Sequence, residues 1–270
     1  MMIEIDRKAI EKVILKAGEL LTGFQARLDR LVIENKPLEG LVSNADREVE
    51  KYIIEKVSHL YPDSEFIAEE DSFKNKEKKI KNNKLHWLID PLDGTNNFLS
   101  NFDYFSISIA AYYQNEVIRG WVFRPSTKEM FYSEKGGGSF YQKQDSKRVR
   151  VFIKNTSLHS SMLTTGFCVE KGQKFDEEFE LFKKVMGQCR GIRRLGSAAL
   201  DLCYSANGPW NGFWERGLSP WDVAAGALYV LESGGIVTNY KGAKFSPFDS
   251  SIVAASKLAH SDLLKLIGKK

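Results

Sequence analysis

The spacing of apolar residues changes from a helical to an extended period after Pro62, and this change limits the possible folds more than any other feature. Before it, apolar residues at helical spacing predict an amphipathic helix that follows Asp6 and a second helix from about Asp46. After it come five segments rich in β-forming residues, the last of them a hairpin around three glycines: 64–70, 85–90, 105–113, 117–123 and 129–141. This order predicts a sheet with helices packed against it.

From about residue 150 onward, strand and helix patterns alternate again and end in a helix near residues 262–267. No stretch rich in Pro, Gly or Ser separates this part from the first. The sequence therefore predicts an α/β fold with layered α and β elements, built of two halves, 1–149 and 150–270, that form one continuous structural unit. A chain of 270 residues with 43% hydrophobic content can bury a large core.

Charge and cysteine content limit the partners that we expect. The formal net charge is +4, and the lysine-rich run at 74–84 has no interleaved aromatic residues, so it predicts a solvated loop rather than a nucleic-acid surface. Cys168, Cys189 and Cys203 fit no CxxC spacing, which predicts reduced thiols. No uncharged apolar run approaches the roughly 20 residues that span a bilayer. We therefore expect a cytoplasmic protein without a membrane partner.

The stretch IDPLDGT places two carboxylates three residues apart at the end of an apolar segment. Pro91 and Gly94 hold Asp90 and Asp93 near each other, and such a pair repels unless a cation lies between them. With no His or Cys nearby, the oxygen ligands favour Mg²⁺ or Mn²⁺, and the N–H groups of Gly94 and Thr95 could then face a phosphate. A turn in which both aspartates only cap backbone donors explains this stretch equally well.

Two further stretches place acids at similar positions. FIAEED puts Glu69 and Glu70 after an apolar segment, where acids are often simply solvated. SPWDVAAG puts Asp222 in the first turn of a helix, with Ser219 as a possible N-cap, and an acid there commonly interacts with the helix dipole. The three stretches together favour a metal site that acts on phosphate esters.

Two long motifs give a more specific indication. WLIDPLDGTNNF and WDVAAGALYVLESGG resemble the two signatures of the inositol monophosphatase family, the magnesium-dependent, lithium-sensitive sugar phosphatases that include the SuhB-type bacterial members. The resemblance extends from the first helix nearly to the C-terminus. It implies an αβαβα sandwich of the sugar-phosphatase type, a homodimer, and two or three Mg²⁺ ions as cofactor, with Mn²⁺ possible.

The resemblance also implies residue roles. The metal ligands would be the side chains of Glu69, Asp90, Asp93 and Asp222 and the backbone carbonyl of Leu92, although the motif does not decide between Glu69 and Glu70. Asp46 would work with Thr95 to orient the attacking water, and Glu70 would be a third catalytic residue.

Substrate residues follow from a third motif. GIRRLGSAAL resembles the family's pocket turn, which implies that the substrate contacts Arg193, Gly196, Ser197 and Ala198, with Gly94 and Thr95 on the phosphate side. Glu215 would accept hydrogen bonds from polyol hydroxyls. The alternative for the two arginines is an exposed pair near a sheet edge. The chain departs from many relatives at Asn211 and Cys168, where Asp and Pro are common.

The implied function is a phosphomonoesterase that hydrolyses inositol monophosphate or a related polyol or sugar phosphate by direct in-line attack of a metal-activated water. Its substrate would be a small phosphomonoester, and we do not expect the protein to bind nucleic acid. Histidinol phosphate, fructose 1,6-bisphosphate and nucleotide 3′-phosphates are alternative substrates. A regulatory protein that binds RNA or protein through the 74–84 run is an alternative of a different class.

Overall fold

The computed structural model describes residues 3–36, 40–72, 82–167 and 172–268. The helices are α1 Arg7–Gln25, α2 Asn44–Leu60, α3 Glu69–Ser72, α4 Thr95–Leu99, α5 Gln173–Met186, α6 Ala198–Asn207, α7 Pro220–Glu232 and α8 Lys257–Ile267. The strands are β1 Ile33–Lys36, β2 Gly40–Ser43, β3 Glu65–Ala68, β4 His86–Asp93, β5 Ser106–Tyr113, β6 Glu116–Arg124, β7 Glu129–Glu134, β8 Gly138–Lys143, β9 Val149–Val151, β10 Met162–Thr165, β11 Gly191–Arg193, β12 Gly212–Arg216, β13 Ile236–Thr238 and β14 Ser251–Ala255.

These strands form a large sheet, a smaller sheet and a hairpin. The large sheet has seven strands in the order β3-β4-β5-β6-β7-β8-β9, and only β3 and β4 in it are parallel. The smaller sheet has five strands in the order β11-β10-β12-β14-β13, with β10 parallel to both its neighbours. The hairpin pairs β1 with β2. The predicted hairpin at 129–141 is confirmed as β7 and β8.

Helices α1 and α2 cover one face of the large sheet. The side chain of Asp6 accepts a hydrogen bond from the Ala9 N–H at 3.1 Å and so caps α1, as predicted. Helix α2 begins at Asn44, two residues before the predicted start, because Ser43 caps it. The apolar stripes of both helices pack with buried side chains of β4, β5 and β6, including Trp87 and Trp121.

Helices α6 and α7 lie between the two sheets. Their buried side chains share one core with residues of the large sheet, such as Val122, and of the smaller sheet, such as Phe213. Small residues allow this close approach: a Cβ added at Gly120 of β6 would lie 2.9 Å from the Cα of Ala225 in α7. Without a side chain at Gly120, the backbone of α7 packs directly on the sheet.

Helices α5 and α8 cover the outer face of the smaller sheet, where Leu181, Val185 and Leu263 pack with Trp214 and Val253. The order of layers is therefore helix, sheet, helix, sheet, helix, which confirms the predicted αβαβα sandwich. The proposed boundary between residues 149 and 150 falls inside β9, the last strand of the large sheet, and the first strand of the smaller sheet begins at Met162. The division into two halves stays a prediction. Within the described residues, no helix is both long and apolar enough to cross a lipid bilayer.

Two predicted strand boundaries near the acidic residues are wrong. Strand β3 ends at Ala68 rather than at residue 70, because the Glu70 N–H donates to the Glu50 carboxylate at 2.7 Å, and the chain turns into α3. Strand β4 continues beyond Asp90 to Asp93, since its register shifts between these residues and accommodates Pro91.

Several predictions concern residues that the structure does not describe or describes only in part. Most of the basic run, residues 74–81, and Cys168 lie outside the described residues. The other two cysteines, Cys189 and Cys203, are free thiols, as predicted.

Candidate active site

The end of β4 brings the two motif aspartates into a buried position. At the register shift, the Leu92 N–H donates to Asp90 Oδ1 at 2.9 Å instead of joining a regular strand pair. Asp90 is 2% exposed and Asp93 is 9% exposed. Burying two carboxylates so close together costs free energy, which favours a functional reason for their position.

Asp93 connects this strand to the N-terminus of α6. Its Oδ2 accepts hydrogen bonds from the Ser197 hydroxyl at 2.5 Å and from the Ala199 N–H at 2.9 Å, and Oδ1 accepts one from the Ala198 N–H at 3.2 Å. First-turn N–H groups lack partners within their own helix and stabilise a carboxylate. Burial nevertheless raises the pKa of Asp93 to about 6.

Asp222 lies in the first turn of α7, where its Oδ2 accepts a hydrogen bond from the Ser219 N–H at 2.8 Å. Burial, followed by the charge of Asp93, raises the pKa of Asp222 to about 7. Burial and the charges of Glu69, Asp93 and Asp222 raise the pKa of Asp90 well above its usual value. The four acids therefore interact electrostatically.

The acids fit a metal ion chemically, although their side chains do not yet surround one. Within the described residues, no group of three or more His, Cys, Asp or Glu side chains is formed that could hold a metal ion. The oxygens of Asp93 and Asp222 instead accept hydrogen bonds from helix N-termini. The carboxylates line one cavity, and their charges raise the pKa values of Asp90 and Asp222; a hard divalent cation between them would offset this repulsion.

Thr95 and Asp46 are in direct contact. The Thr95 hydroxyl lies 3.1 Å from Asp46 Oδ1 and 3.1 Å from the Leu92 carbonyl oxygen. The other Asp46 oxygen, Oδ2, accepts hydrogen bonds from the Ser43 N–H at 2.9 Å and the Ser43 hydroxyl at 2.7 Å. Burial raises the pKa of Asp46, and the hydrogen bonds from Ser43 and Thr95 partly offset this effect. The pair is held rigidly next to the acids of β4.

Glu69 and Glu70 have different surroundings. Glu69 lines the same cavity as Asp90, Asp93 and Asp222. Glu70 is buried beside α2, where its carboxylate lies 3.7 Å from the guanidinium Nε of Arg47. The placement favours Glu69 as the metal ligand of the two, because Glu70 is not among the residues that line the cavity.

One cavity of about 310 Å³ collects most of the predicted site residues. These are Glu69, Asp90, Leu92, Asp93, Gly94, Thr95, Gly196, Ser197, Ala198, Glu215 and Asp222. Three predicted residues do not line it: Asp46, Glu70 and Arg193. Asp46 acts on the cavity through its contact with Thr95.

Two glycines shape the part of the cavity between the end of β4 and the start of α6. Gly94 has φ +97° and Gly196 has φ +87°, backbone conformations that favour glycine. A Cβ on Gly94 would lie 3.1 Å from the Gly196 carbonyl oxygen, so the two turns are in close contact. The Asn97 side chain fixes them, since its Nδ2 donates to the carbonyls of Tyr104 at 2.6 Å and Leu195 at 2.7 Å.

Glu215 lies at the end of the cavity formed by the smaller sheet. Its carboxylate lies over Gly166, where an added Cβ would come within 2.2 Å of Oε1. Among the described residues, none donates a hydrogen bond to this carboxylate. Burial, followed by the charges of Asp201, Asp222 and Asp93, raises the pKa of Glu215 well above its usual value. An acid of this kind is available to a ligand.

Arg194, rather than Arg193, lines the cavity. Both side chains are exposed, but Arg193 donates to the carbonyl of its neighbour Ile192, at 3.0 Å. The Arg194 guanidinium lies 5.8 Å from the ring centroid of Phe167 at the cavity rim. Adjacent residues on an extended segment point to opposite sides, and the motif alone did not show which side faces the cavity.

Sequence reasoning did not include several of the residues that line the cavity, among them Asn97, Thr165, Gly166 and Asp201. Asp201 had a signal, because a single acid interrupts the apolar helix SAALDLC. Asn211, where many relatives carry Asp, joins two strands: its side-chain oxygen accepts a hydrogen bond from the Met162 N–H at 3.1 Å. That departure therefore affects packing rather than the cavity.

The whole chain is similar to proteins of one family. The sequence profile of the inositol monophosphatase family matches residues 2–270. The inositol-1-monophosphatase of Mesorhizobium japonicum is 36% identical over 259 residues, which are 94% of this chain and 93% of that protein. The Nus factor SuhB of Pseudomonas aeruginosa is 36% identical over 253 residues, 93% of this chain and 91% of that protein.

A solved structure agrees over the same length. The extragenic suppressor protein suhB from Bartonella henselae superimposes with a TM-score of 0.86 at 32% identity, and the match covers 97% of this chain and 98% of that one. Profile, sequence and structure agree from end to end, so the resemblance inferred from the two motifs is confirmed. The chain belongs to the inositol monophosphatase family.

Proposed function

We propose that this chain is a magnesium-dependent phosphomonoesterase that hydrolyses inositol monophosphate or a closely related polyol phosphate. Family membership supports a phosphatase. The observation that carries the finer proposal is that one cavity joins the acids Asp90, Asp93 and Asp222 to Thr95 at one end and to Glu215 at the other. The first end suits a phosphate with its cation, and the second suits a hydroxylated alcohol.

The residues that would hold magnesium are the carboxylates of Glu69, Asp90, Asp93 and Asp222 and the carbonyl oxygen of Leu92. When bound, magnesium supplies the positive charge that acidifies water and neutralises charge on the phosphate and the leaving oxygen. Two or three ions are proposed, and Mn²⁺ has the same oxygen preference.

The water would be oriented by Thr95. Its hydroxyl has a single proton, which Asp46 or the Leu92 carbonyl can accept, so an oxygen lone pair of Thr95 stays available to a water. Ser43 fixes Asp46 from the opposite side. A water held in this way can attack the phosphorus opposite the leaving alcohol, and no covalent enzyme intermediate is required.

The alcohol part of the substrate would lie between the first turn of α6 and Glu215. Ser197 and Ala198 form one wall, and the Glu215 carboxylate, which accepts no hydrogen bond from the described residues, can accept one from a substrate hydroxyl. Arg194 at the rim can contact a phosphate or hydroxyl that extends outward.

A phosphate-release screen tests the proposal. The purified protein is assayed with Mg²⁺, and separately with EDTA, on inositol 1-phosphate, glycerol 2-phosphate, fructose 1,6-bisphosphate, histidinol phosphate and a nucleotide 3′-phosphate. We expect magnesium-dependent release that is greatest on inositol phosphate, and Asp90→Asn is the inactive control. If histidinol phosphate or a nucleotide gave the highest kcat/KM, the substrate assignment would change. Release equal to that of Asp90→Asn on every ester would end the phosphatase proposal.

A role in assembly with RNA or protein is the second candidate, because several relatives carry the name Nus factor SuhB. The lysines of the basic run, Lys78, Lys79 and Lys81, would be the contact residues. Reversing these three charges would then abolish capture of a partner while phosphate release continues.

Size-exclusion chromatography with light scattering on the same samples tests the proposed homodimer.

A further inference from the structure

A second buried acid lines the alcohol end of the cavity. Asp201 lies in α6, one turn after Ser197, and its backbone N–H donates to the Ser197 carbonyl at 3.0 Å. It is 2% exposed, and it lines the same cavity as Glu215 and Ala198. Helix α6 therefore contributes two features to the cavity wall. Its first turn binds Asp93, and Asp201 lies one turn after Ser197 along the helix.

Only one oxygen of Asp201 has a protein partner. The Tyr104 hydroxyl donates to Oδ1 at 2.6 Å. No group in the described part of the chain donates to Oδ2. A buried acid with a free oxygen is costly, because desolvation is only half compensated. If Asp201 served only to hold Tyr104, a neutral residue with one acceptor would do so at lower cost.

Asp201 and Glu215 lie close enough to influence each other. After burial, the charge of Asp201 is the largest cause of the raised pKa of Glu215. Among the described residues that line the cavity, Arg194 alone is a cation, and its side chain is exposed. The inner part of this end thus offers hydrogen-bonding oxygens on two separate carboxyl groups, which suits neutral hydroxyls rather than a second phosphate.

We propose that Asp201 is a specificity-determining residue whose Oδ2 forms a hydrogen bond with a hydroxyl of the substrate alcohol, so that Asp201 and Glu215 together recognise a polyol with hydroxyls on two sides. This inference rests on the proposed phosphatase function and narrows its substrate class. The preferred substrates are monophosphates of cyclic polyols. Esters of simple or aromatic alcohols leave the Asp201 oxygen without a partner, and bisphosphates bring a second negative charge toward it.

The test compares two substrates on three proteins. Inositol 1-phosphate presents hydroxyls to both acids, whereas p-nitrophenyl phosphate has none on its leaving group. The wild type is compared with Asp201→Ala and with the control Tyr104→Phe, which removes the partner of Oδ1 and leaves Oδ2 in the cavity. The ratio of kcat/KM on the inositol ester to kcat/KM on the aryl ester is measured with saturating magnesium, together with the melting temperature of each protein.

We expect Asp201→Ala to lower this ratio about tenfold, the effect of one hydrogen bond, mostly through KM on the inositol ester. Tyr104→Phe should lower the melting temperature and change the ratio less. An Asp201→Ala protein that loses both activities equally, or neither, overturns the specificity role while the phosphatase function stands. A wild type that hydrolyses neither ester overturns both proposals. Asp201→Asn, which keeps the acceptor for Tyr104, replaces Asp201→Ala if that variant does not fold.

Discussion

The Thr95 hydroxyl lies within 3.1 Å of two acceptors and can donate its single proton to only one of them at a time. This geometry distinguishes between two roles for Thr95, orienting the attacking water and binding the substrate, which sequence alone could not distinguish. Thr95 contacts the carbonyl of a proposed metal ligand, Leu92, and the side chain of Asp46, which does not line the cavity. These contacts support the proposal that Thr95 orients water rather than binding the alcohol.

Replacing Thr95 with Val keeps the shape of the side chain and removes its hydroxyl. We expect kcat on inositol phosphate to fall by roughly 100-fold or more while KM changes little, since the loss is in orienting the water during the reaction. Steady-state kinetics with saturating magnesium measures both values, and Thr95→Ser, which retains the hydroxyl, is the control. A change confined to KM would assign Thr95 to substrate binding instead.

At the scale of elements, the contact between α6 and α7 leaves no room for added atoms. A Cβ on Gly226 of α7 would lie 2.6 Å from the Leu202 Cβ of α6. The Leu202 Cβ is attached directly to the helix backbone, so relief requires the two helices to move apart. Because α6 carries Ser197 and α7 carries Asp222, such a movement would also separate parts of the site.

We therefore expect Gly226→Ala to destabilise the protein by about 1–3 kcal/mol and to lower magnesium-dependent activity. The control is Gly23→Ala in α1, where an added Cβ meets nothing within 4 Å and the higher helix propensity of Ala should stabilise slightly. Urea unfolding curves of the three proteins measure the difference. Equal midpoints for Gly226→Ala and the wild type would show that the interface can relax.

Sequence reasoning predicted the elements that have a clear period and missed those that are too short to have one. The apolar stripe from Ile10 to Leu21 predicted α1, and runs of β-forming residues predicted β5 and β6. The four-residue helix α3 and the hairpin of β1 and β2 show no period, and the contact of Glu70 with Glu50 that ends β3 joins residues 20 apart.

The candidate site shows the same division. Its aspartates Asp90, Asp93 and Asp222 were predicted because they stand in long motifs. Asn97 stands in the first motif as well, but its role and that of Asp201 depend on contacts that only packing creates. Asn97 reaches the Leu195 carbonyl, 98 residues away in the chain. The choice between Arg193 and Arg194 depends on which side of a short segment faces the cavity, and only the folded chain determines that.

At the scale of the whole molecule, acids from both halves share one electrostatic environment. The folded-state pKa values of Asp93 and Asp222, about 6 and about 7, lie above the usual 3.8. Between the usual value and these raised values, Asp93 and Asp222 bind protons in the folded state that they have released in the unfolded chain. The free energy of unfolding of the metal-free protein should therefore decrease as pH rises from about 4 to about 7, and its contribution from these acids is greatest at low pH.

Asp222→Asn tests this dependence because it removes one of the coupled charges. Without metal, we expect the variant to melt at a higher temperature than the wild type at pH 8, with the difference shrinking toward pH 5. Differential scanning calorimetry in chelator-treated buffers measures both. A difference that is constant with pH would mean that Asp222 acts as a helix-terminus acid and not through its charge on the other acids.

Magnesium should reverse the order. A ligand that binds only the folded state adds RT ln(1 + [L]/Kd), about 2.7 kcal/mol at a hundred times Kd. The wild type should therefore gain a clear increase in melting temperature from magnesium, and Asp222→Asn should gain less because one ligand is lost. Magnesium-free samples that contain EDTA serve as references. Equal shifts in both proteins would exclude Asp222 from the metal site.

The shared position of α6 and α7 between the two sheets has a consequence for exchanging parts among relatives. A chimera joined near residue 150 would combine the large sheet of one protein with middle helices that evolved against another sheet. The direct contact of Gly120 with Ala225 crosses that junction. Recombination that keeps Gly120 and the surface of β6 together with α6 and α7 should give folded hybrids, and a simple cut between halves should give insoluble ones.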